Sequence, residues 1–223
     1  MPMNIAIDGP VGAGKSSIAD QVAQRLHILH LDTGAMYRTV ALYMLRNGID
    51  PQDEQTVSAH CGEADVRVAY RDGAQRTMLG GEDVSDLIRT GEVSAAASAI
   101  SKWPAVRRRM VAAQREIAAT ADMLIDGRDI GTVVLPGADV KIFLTASPED
   151  RARRRFDELR KRGQEADYDT VLRDIILRDE HDTRRSAAPL RQAKDALLVD
   201  TTGNSLDESL DVLLETIKER LKA

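Results

Sequence analysis

The segment Gly9-Pro10-Val11-Gly12-Ala13-Gly14-Lys15-Ser16 constrains this chain most, because it sets glycines and a lysine between an apolar run and an amphipathic one. Ile5-Ala6-Ile7 precedes it, and Ile18, Val22 and Leu26 follow at helical spacing, so the order reads strand, loop, helix. That is the context a Walker A pattern requires. Glycines let successive backbone N–H groups curl around a phosphate, and the helix N-terminus adds a favourable dipole. Lys15 can reach the β- and γ-phosphates as a point charge, Ser16 can ligate magnesium, and Ser17 supplies a further hydroxyl in the first turn. The expected ligand is Mg-ATP. The pattern alone leaves kinases, GTPases, motors and helicases open.

Four more short apolar runs, Ile28 to Leu31, Met123 to Ile125, Val140 to Leu144 and Leu197 to Val199, are each followed by a turn signal or a helical pattern. Runs of this kind, separated by helices, predict an α/β fold with five parallel strands buried on both faces. Helices are predicted at Ala35 to Arg46, at Ala105 to Ala121, and after a capping box of Ser205 and Glu208, where Leu210, Leu213, Leu214, Ile217 and Leu221 share a face. One stretch breaks the rhythm: Val66 to Tyr70 alternates, Asp72-Gly73 is a hairpin turn, and Arg76 to Leu79 follows. It reads as a small insert at about 60–95 within a lobe spanning 33–98, with residues 1–32 and 99–223 as the core of one domain.

With a net charge of −5 and only 3% aromatic residues, the chain is not expected to coat nucleic acid. Its single cysteine, Cys61, excludes an intramolecular disulfide, and no charged-then-apolar leader opens it, so neither secretion nor a membrane partner is expected and the cytoplasm is. The four histidines, at 27, 30, 60 and 181, show no metal or triad spacing and read as structural or exposed.

At the end of the second strand comes Asp32-Thr33-Gly34-Ala35-Met36-Tyr37-Arg38, and at the end of the third Asp126-Gly127-Arg128-Asp129. In open parallel sheets the carboxyl edge carries the ligand crevice, so these residues converge beside the phosphate loop. Asp126 is placed like a Walker B carboxylate and joins Ser16 as a magnesium ligand. The forked guanidinium groups of Arg38 and Arg128 suit a phosphate monoester. Seven cations, Arg151, Arg153, Arg154, Arg155, Arg160, Lys161 and Arg162, crowd a helix that follows Ser147-Pro148 and ends at Gly163. Such density needs an anion, which predicts a lid at about 150–165 closing over a triphosphate. On a further helix, introduced by Asp169 and anchored by Val171, Leu172, Ile175 and Ile176, residues Arg178, Asp182 and Arg185 share a face, either for ligand or as a surface salt bridge.

Through GPVGAGKSS, LDTGAMYR, IDGRDIGT, VKIFLTAS, RARRRF and RDEHDTRRSAAPL, the chain resembles bacterial cytidylate kinases over nearly its whole length. The resemblance implies an adenylate-kinase-like P-loop fold, a monophosphate-binding lobe, a lid, and transfer of the ATP γ-phosphoryl group to CMP or dCMP; nothing in the sequence suggests more than a monomer. Carried over by motif, Thr33, Tyr37 and Arg38 would line the monophosphate site, with Arg38 and Arg128 on the phosphate. Ser98, Arg107 and Asp129 would face the base, Arg178 and Asp182 the sugar, and Arg185 the phosphates, while Arg155 with its lid neighbours would hold the transferring group. The alternatives are a kinase for another monophosphate or small metabolite, and a nucleotide-switched binding protein.

Overall fold

The computed structural model describes residues 2–161, 163–185 and 187–222. Within them a parallel sheet forms from β1 (Asn4–Asp8), β2 (Leu29–Asp32), β6 (Met123–Gly127), β7 (Val140–Thr145) and β8 (Leu197–Asp200), in the order β2-β6-β1-β7-β8. Alternation explains why these runs are apolar without a break. Ile5, Ile7 and Leu124 face α1 (Lys15–Leu26) and α8 (Leu206–Lys222), whereas Ala6, Met123 and Ile125 face the opposite core with α2 (Thr33–Arg46). The second core also takes α3 (Glu54–His60), α4 (Gly91–Ile100) and α5 (Pro104–Ala118).

A separate antiparallel sheet joins β3 (Val66–Arg71), β4 (Ala74–Leu79) and β5 (Glu82–Asp83). It covers the free edge of β2. The Gln75 side chain accepts from the Asp32 N–H at 2.7 Å and donates to its carbonyl at 3.3 Å, and the Tyr70 hydroxyl donates to the His30 carbonyl at 3.1 Å. These bonds stand in for a sixth strand.

Several boundaries differ from the sequence expectation for local reasons. The second strand starts at Leu29 because the Ile28 N–H closes onto Ala23 O at the end of α1. Helix α5 stops at Ala118, where the Thr120 hydroxyl and N–H both donate to Ile117 O. Helix α7 (Tyr168–Arg184) is capped by Asp167, not introduced by Asp169, since the Asp167 carboxylate accepts from the N–H and hydroxyl of Thr170. Val171 and Ile175 bury against Ala152 of α6 (Pro148–Lys161), while Ile176 turns away and is 42% exposed. The capping box of α8 forms as expected, yet Leu221, one turn past the buried Ile217, is exposed.

Candidate active site

The phosphate loop leaves β1 through Gly9, whose backbone passes so close to β7 that an added Cβ would lie 1.9 Å from Leu144 O. Gly14, the N-cap of α1, sits at φ 79°, a left-handed conformation that suits glycine. Pro10, Val11, Gly12 and Ala13 complete the loop, with Ala13 buried beneath it. Lys15 is 5% exposed and donates to the Pro10 carbonyl at 2.7 Å. Ser16 and Ser17 are exposed in the first turn of α1.

β6 delivers Asp126 beside this loop, and the Ser16 hydroxyl donates to its Oδ2 at 2.8 Å. Two oxygen ligands placed together beside a phosphate cradle fit magnesium, which binds through one or two protein oxygens plus substrate phosphates. No group of three or more His, Cys, Asp and Glu among the described residues forms a metal cage.

The other oxygen of Asp126 is held by a residue whose part in the site is not visible in the sequence. His30 of β2 is buried and lies 2.8 Å from Asp126 Oδ1, with Asp20 of α1 3.7 Å from its second nitrogen. Burial opposes the imidazolium, but bonding to Asp126 and Asp20 and the fields of Asp126 and Asp32 outweigh it and push the group up to about 10. Lys15 shifts the opposite way, to about 7, because burial and then the nearby Arg128 disfavour its charge. The signs follow from linkage. His30 adds stability that is complete below its unfolded 6.5 and lost as pH rises to about 10, whereas the cost of burying charged Lys15 is relieved between about 7 and 10.5. Each group alone gives a slope of at most about 1.4 kcal/mol per pH unit. Denaturant titrations over that range are therefore expected to be nearly flat in wild type, rising for His30→Gln and falling for Lys15→Met. Parallel profiles for the three proteins would refute these electrostatics.

Around this centre the sheet edge gathers arginines and carboxylates. The Arg38 guanidinium donates to Asp32 at 2.8 Å, and Asp32 also caps α2 by accepting from Ala35 N. The Arg38 Nε is buried with no hydrogen-bond partner among the described residues. The Thr33 hydroxyl is committed to the Asp126 carbonyl at 2.7 Å, so it fastens α2 to β6. Arg128 donates to Asp182 of α7 at 2.8 Å. Asp182 thus pairs across elements instead of within its own helix, and Arg178, one turn earlier, is partly buried.

Asp129 is buried and bound by the Arg107 guanidinium of α5, with Arg185 Nη2 3.6 Å from its other oxygen. Tyr37 stands in the same field, its hydroxyl pushed up to about 12 by burial. Arg185 Nη2 is buried with no hydrogen-bond partner among the described residues, and burial together with the Arg107 charge lowers that pKa. Ser98, on α4, is partly buried, and its carbonyl accepts from Ser101 at 2.9 Å.

Five of the seven lid cations are already engaged. Arg151 is 3% exposed and donates to Ala146 O, to Val11 O and, with both Nη groups, to Asp179 at 3.0 and 2.6 Å. It is a staple between α6, the phosphate loop and α7. Arg154 pairs with Asp150 and bonds Thr201 O, Arg155 pairs with Glu158, and Arg153 lies over the rings of Phe156 and Tyr168. Arg160 also lies over Phe156, Lys161 closes the helix, and Arg162 falls outside the described residues. Arg151, Arg154 and Arg155 thus meet carboxylates of the protein itself, so the cation density of α6 does not by itself require an external anion.

Comparison with known proteins decides the family. The cytidylate kinase family model matches residues 5–219. The chain belongs to that family. It is 48% identical to the cytidylate kinase of Carboxydothermus hydrogenoformans over 215 residues, covering 96% of this chain and 97% of that one. Against the cytidylate kinase of Caldicellulosiruptor bescii it is 47% identical over 220 residues, covering 99% and 97%. Among solved structures, an uncharacterized protein from Eubacterium ventriosum shares the fold with a TM-score of 0.51 at 12% identity, covering 97% of this chain and 98% of that chain. No helix among the described residues is long and apolar enough to cross a membrane.

Proposed function

We propose that this chain transfers the γ-phosphoryl group of ATP to CMP or dCMP, giving ADP and CDP or dCDP, as a cytoplasmic monomer using Mg²⁺. The observation that carries this reading is the buried Asp129, set against Arg107 and next to Arg128 in the chain, at the sheet edge that bears the phosphate loop. Cytosine presents an amino donor and two ring acceptors, and a carboxylate beside a guanidinium complements them. Membership of the cytidylate kinase family supports the same acceptor.

The triphosphate lies on the loop from Gly9 to Ser17, with Lys15 leaving the Pro10 carbonyl for the γ-phosphate. Ser16 and Asp126 would hold Mg²⁺, which when bound neutralises charge on the β- and γ-phosphates. Arg38, Arg128 and Arg185 fix the acceptor phosphate, and Arg38 Nε and Arg185 Nη2, which make no hydrogen bond among the described residues, are the donors it would satisfy. A phosphate oxygen of CMP then attacks the γ-phosphorus in line as the bond to the β–γ bridging oxygen breaks and ADP leaves. No covalent intermediate with the chain is needed, so catalysis rests on positioning and charge. Arg178 and Asp182 address the sugar, Thr33 and Tyr37 wall the monophosphate, and Ser98 borders the base. Arg155 and Arg153 reach the transferring group only by exchanging Glu158 and the aromatic rings for phosphate as the lid closes.

Asp129→Asn tests the base assignment. An amide both donates and accepts, so CMP efficiency is expected to fall by about 1 to 3 kcal/mol while UMP improves in relative terms. An unaltered ratio of CMP to UMP efficiency would remove Asp129 from base reading.

A further inference from the structure

Between Asp129 and β7 the chain makes a π-helical turn, Ile130–Val134, closed by the Leu135 N–H on Ile130 O at 2.7 Å and the Val134 N–H on Asp129 O at 3.1 Å. Such turns are rare and leave backbone groups at both ends to be satisfied. Here each end meets an opposite charge. At the N-terminal end Asp8, the last residue of β1, accepts from Ile130 N at 2.7 Å with one oxygen and from Gly131 N at 2.8 Å with the other. At the C-terminal end Arg115 of α5 donates from Nε to Val134 O at 2.8 Å and from Nη2 to Val133 O at 2.7 Å.

We infer that Asp8 and Arg115 are positioning residues for acceptor selectivity, clamping the turn from both ends so that Asp129 is held at the base. The clamp is built from unrelated parts of the fold. Asp8 is 4% exposed, and an added Cβ at Gly131 would lie 3.4 Å from its Oδ2, so the turn seats closely on the carboxylate. Burial pushes Asp8 up to about 6 while the two N–H donors pull it down, so near neutral pH it is ionised and both oxygens accept. Asp8 also precedes Gly9 directly, so one residue ties the phosphate loop to the acceptor turn through its chain and its side chain. Arg115 stands two helical turns beyond Arg107, so the helix that pairs with Asp129 also grips the far end of the same turn.

The inference rests on the assignment of Asp129 to the base, and the two are separable. Arg115 is exposed, so Arg115→Ala leaves the core untouched, and it serves as the main variant beside Asp8→Asn, which risks the fold. Arg115→Ala is expected to raise the KM for CMP about tenfold and lower the CMP to UMP efficiency ratio several-fold, with the KM for ATP unchanged, as fits the loss of one charged contact. Amide hydrogen exchange at Val133 to Leu135 should accelerate in the same protein without nucleotide. A fall in melting temperature with unchanged ratio and unchanged local exchange would mean that Arg115 is only structural, and the clamp is overturned. Faster exchange in Arg115→Ala combined with an unaltered ratio in Asp129→Asn would instead overturn the base assignment, and the selectivity role with it.

Discussion

Lys15→Met is expected to lower phosphoryl transfer by at least about 10²- to 10³-fold while the protein melts no earlier than wild type. The lysine is buried at a cost, and burial drives its pKa down to about 7. Its hydrogen bond to the Pro10 carbonyl holds it in the loop whose phosphate it would neutralise. Methionine keeps the length of the side chain and removes the charge, so the folded state loses a strained cation and gains apolar contact. Turnover and stability should therefore separate in this variant. A variant that retains near-normal turnover would remove Lys15 from the charge-neutralising role, whatever its melting temperature.

Arg151→Ala should behave in the opposite way, because this lid arginine is built into the structure. It leaves Asp179 partly buried without its bidentate partner and strips donors from Ala146 O and Val11 O. Breaking a buried pair by removing one partner costs about 3–5 kcal/mol, which for a chain of this size lowers the melting temperature by roughly 6–20 °C. The KM for ATP should rise as well, since Val11 belongs to the phosphate loop. Asp179→Ala is expected to cause much of the same loss, and the double variant far less than the sum. Melting temperatures within about 2 °C of wild type for Arg151→Ala would contradict the staple.

These two arginine and lysine positions mark what could be read from the sequence and what could not. Lys15, Ser16 and the parallel strands are legible because the signal is local: a loop pattern flanked by an unbroken apolar run and a helical one. Asp126 is legible by its place at the end of an apolar run. His30 is not, since its partner lies 96 positions away and a histidine in a strand carries no spacing that announces an ion pair. Asp8 is hidden for the same reason, its two backbone partners lying 122 and 123 positions along the chain. The arginine cluster of α6 misleads in the other direction, because charge density alone does not say that Arg151 turns inward to Asp179 or that Arg155 meets Glu158. The roles of Arg178, Ser98 and Thr33 come from family resemblance and stay with it, the Thr33 hydroxyl being taken up by the Asp126 carbonyl.

The central claim is that a cytosine monophosphate is the acceptor. ADP release from Mg-ATP, measured with CMP, dCMP, UMP, AMP and GMP in turn at equal concentration, tests it most directly. Strong acceleration by CMP and dCMP is expected, with UMP weaker by a factor that reaches about 10⁴ where buried polar groups are left mismatched. Acceleration by no monophosphate, or by UMP as much as by CMP, would contradict it.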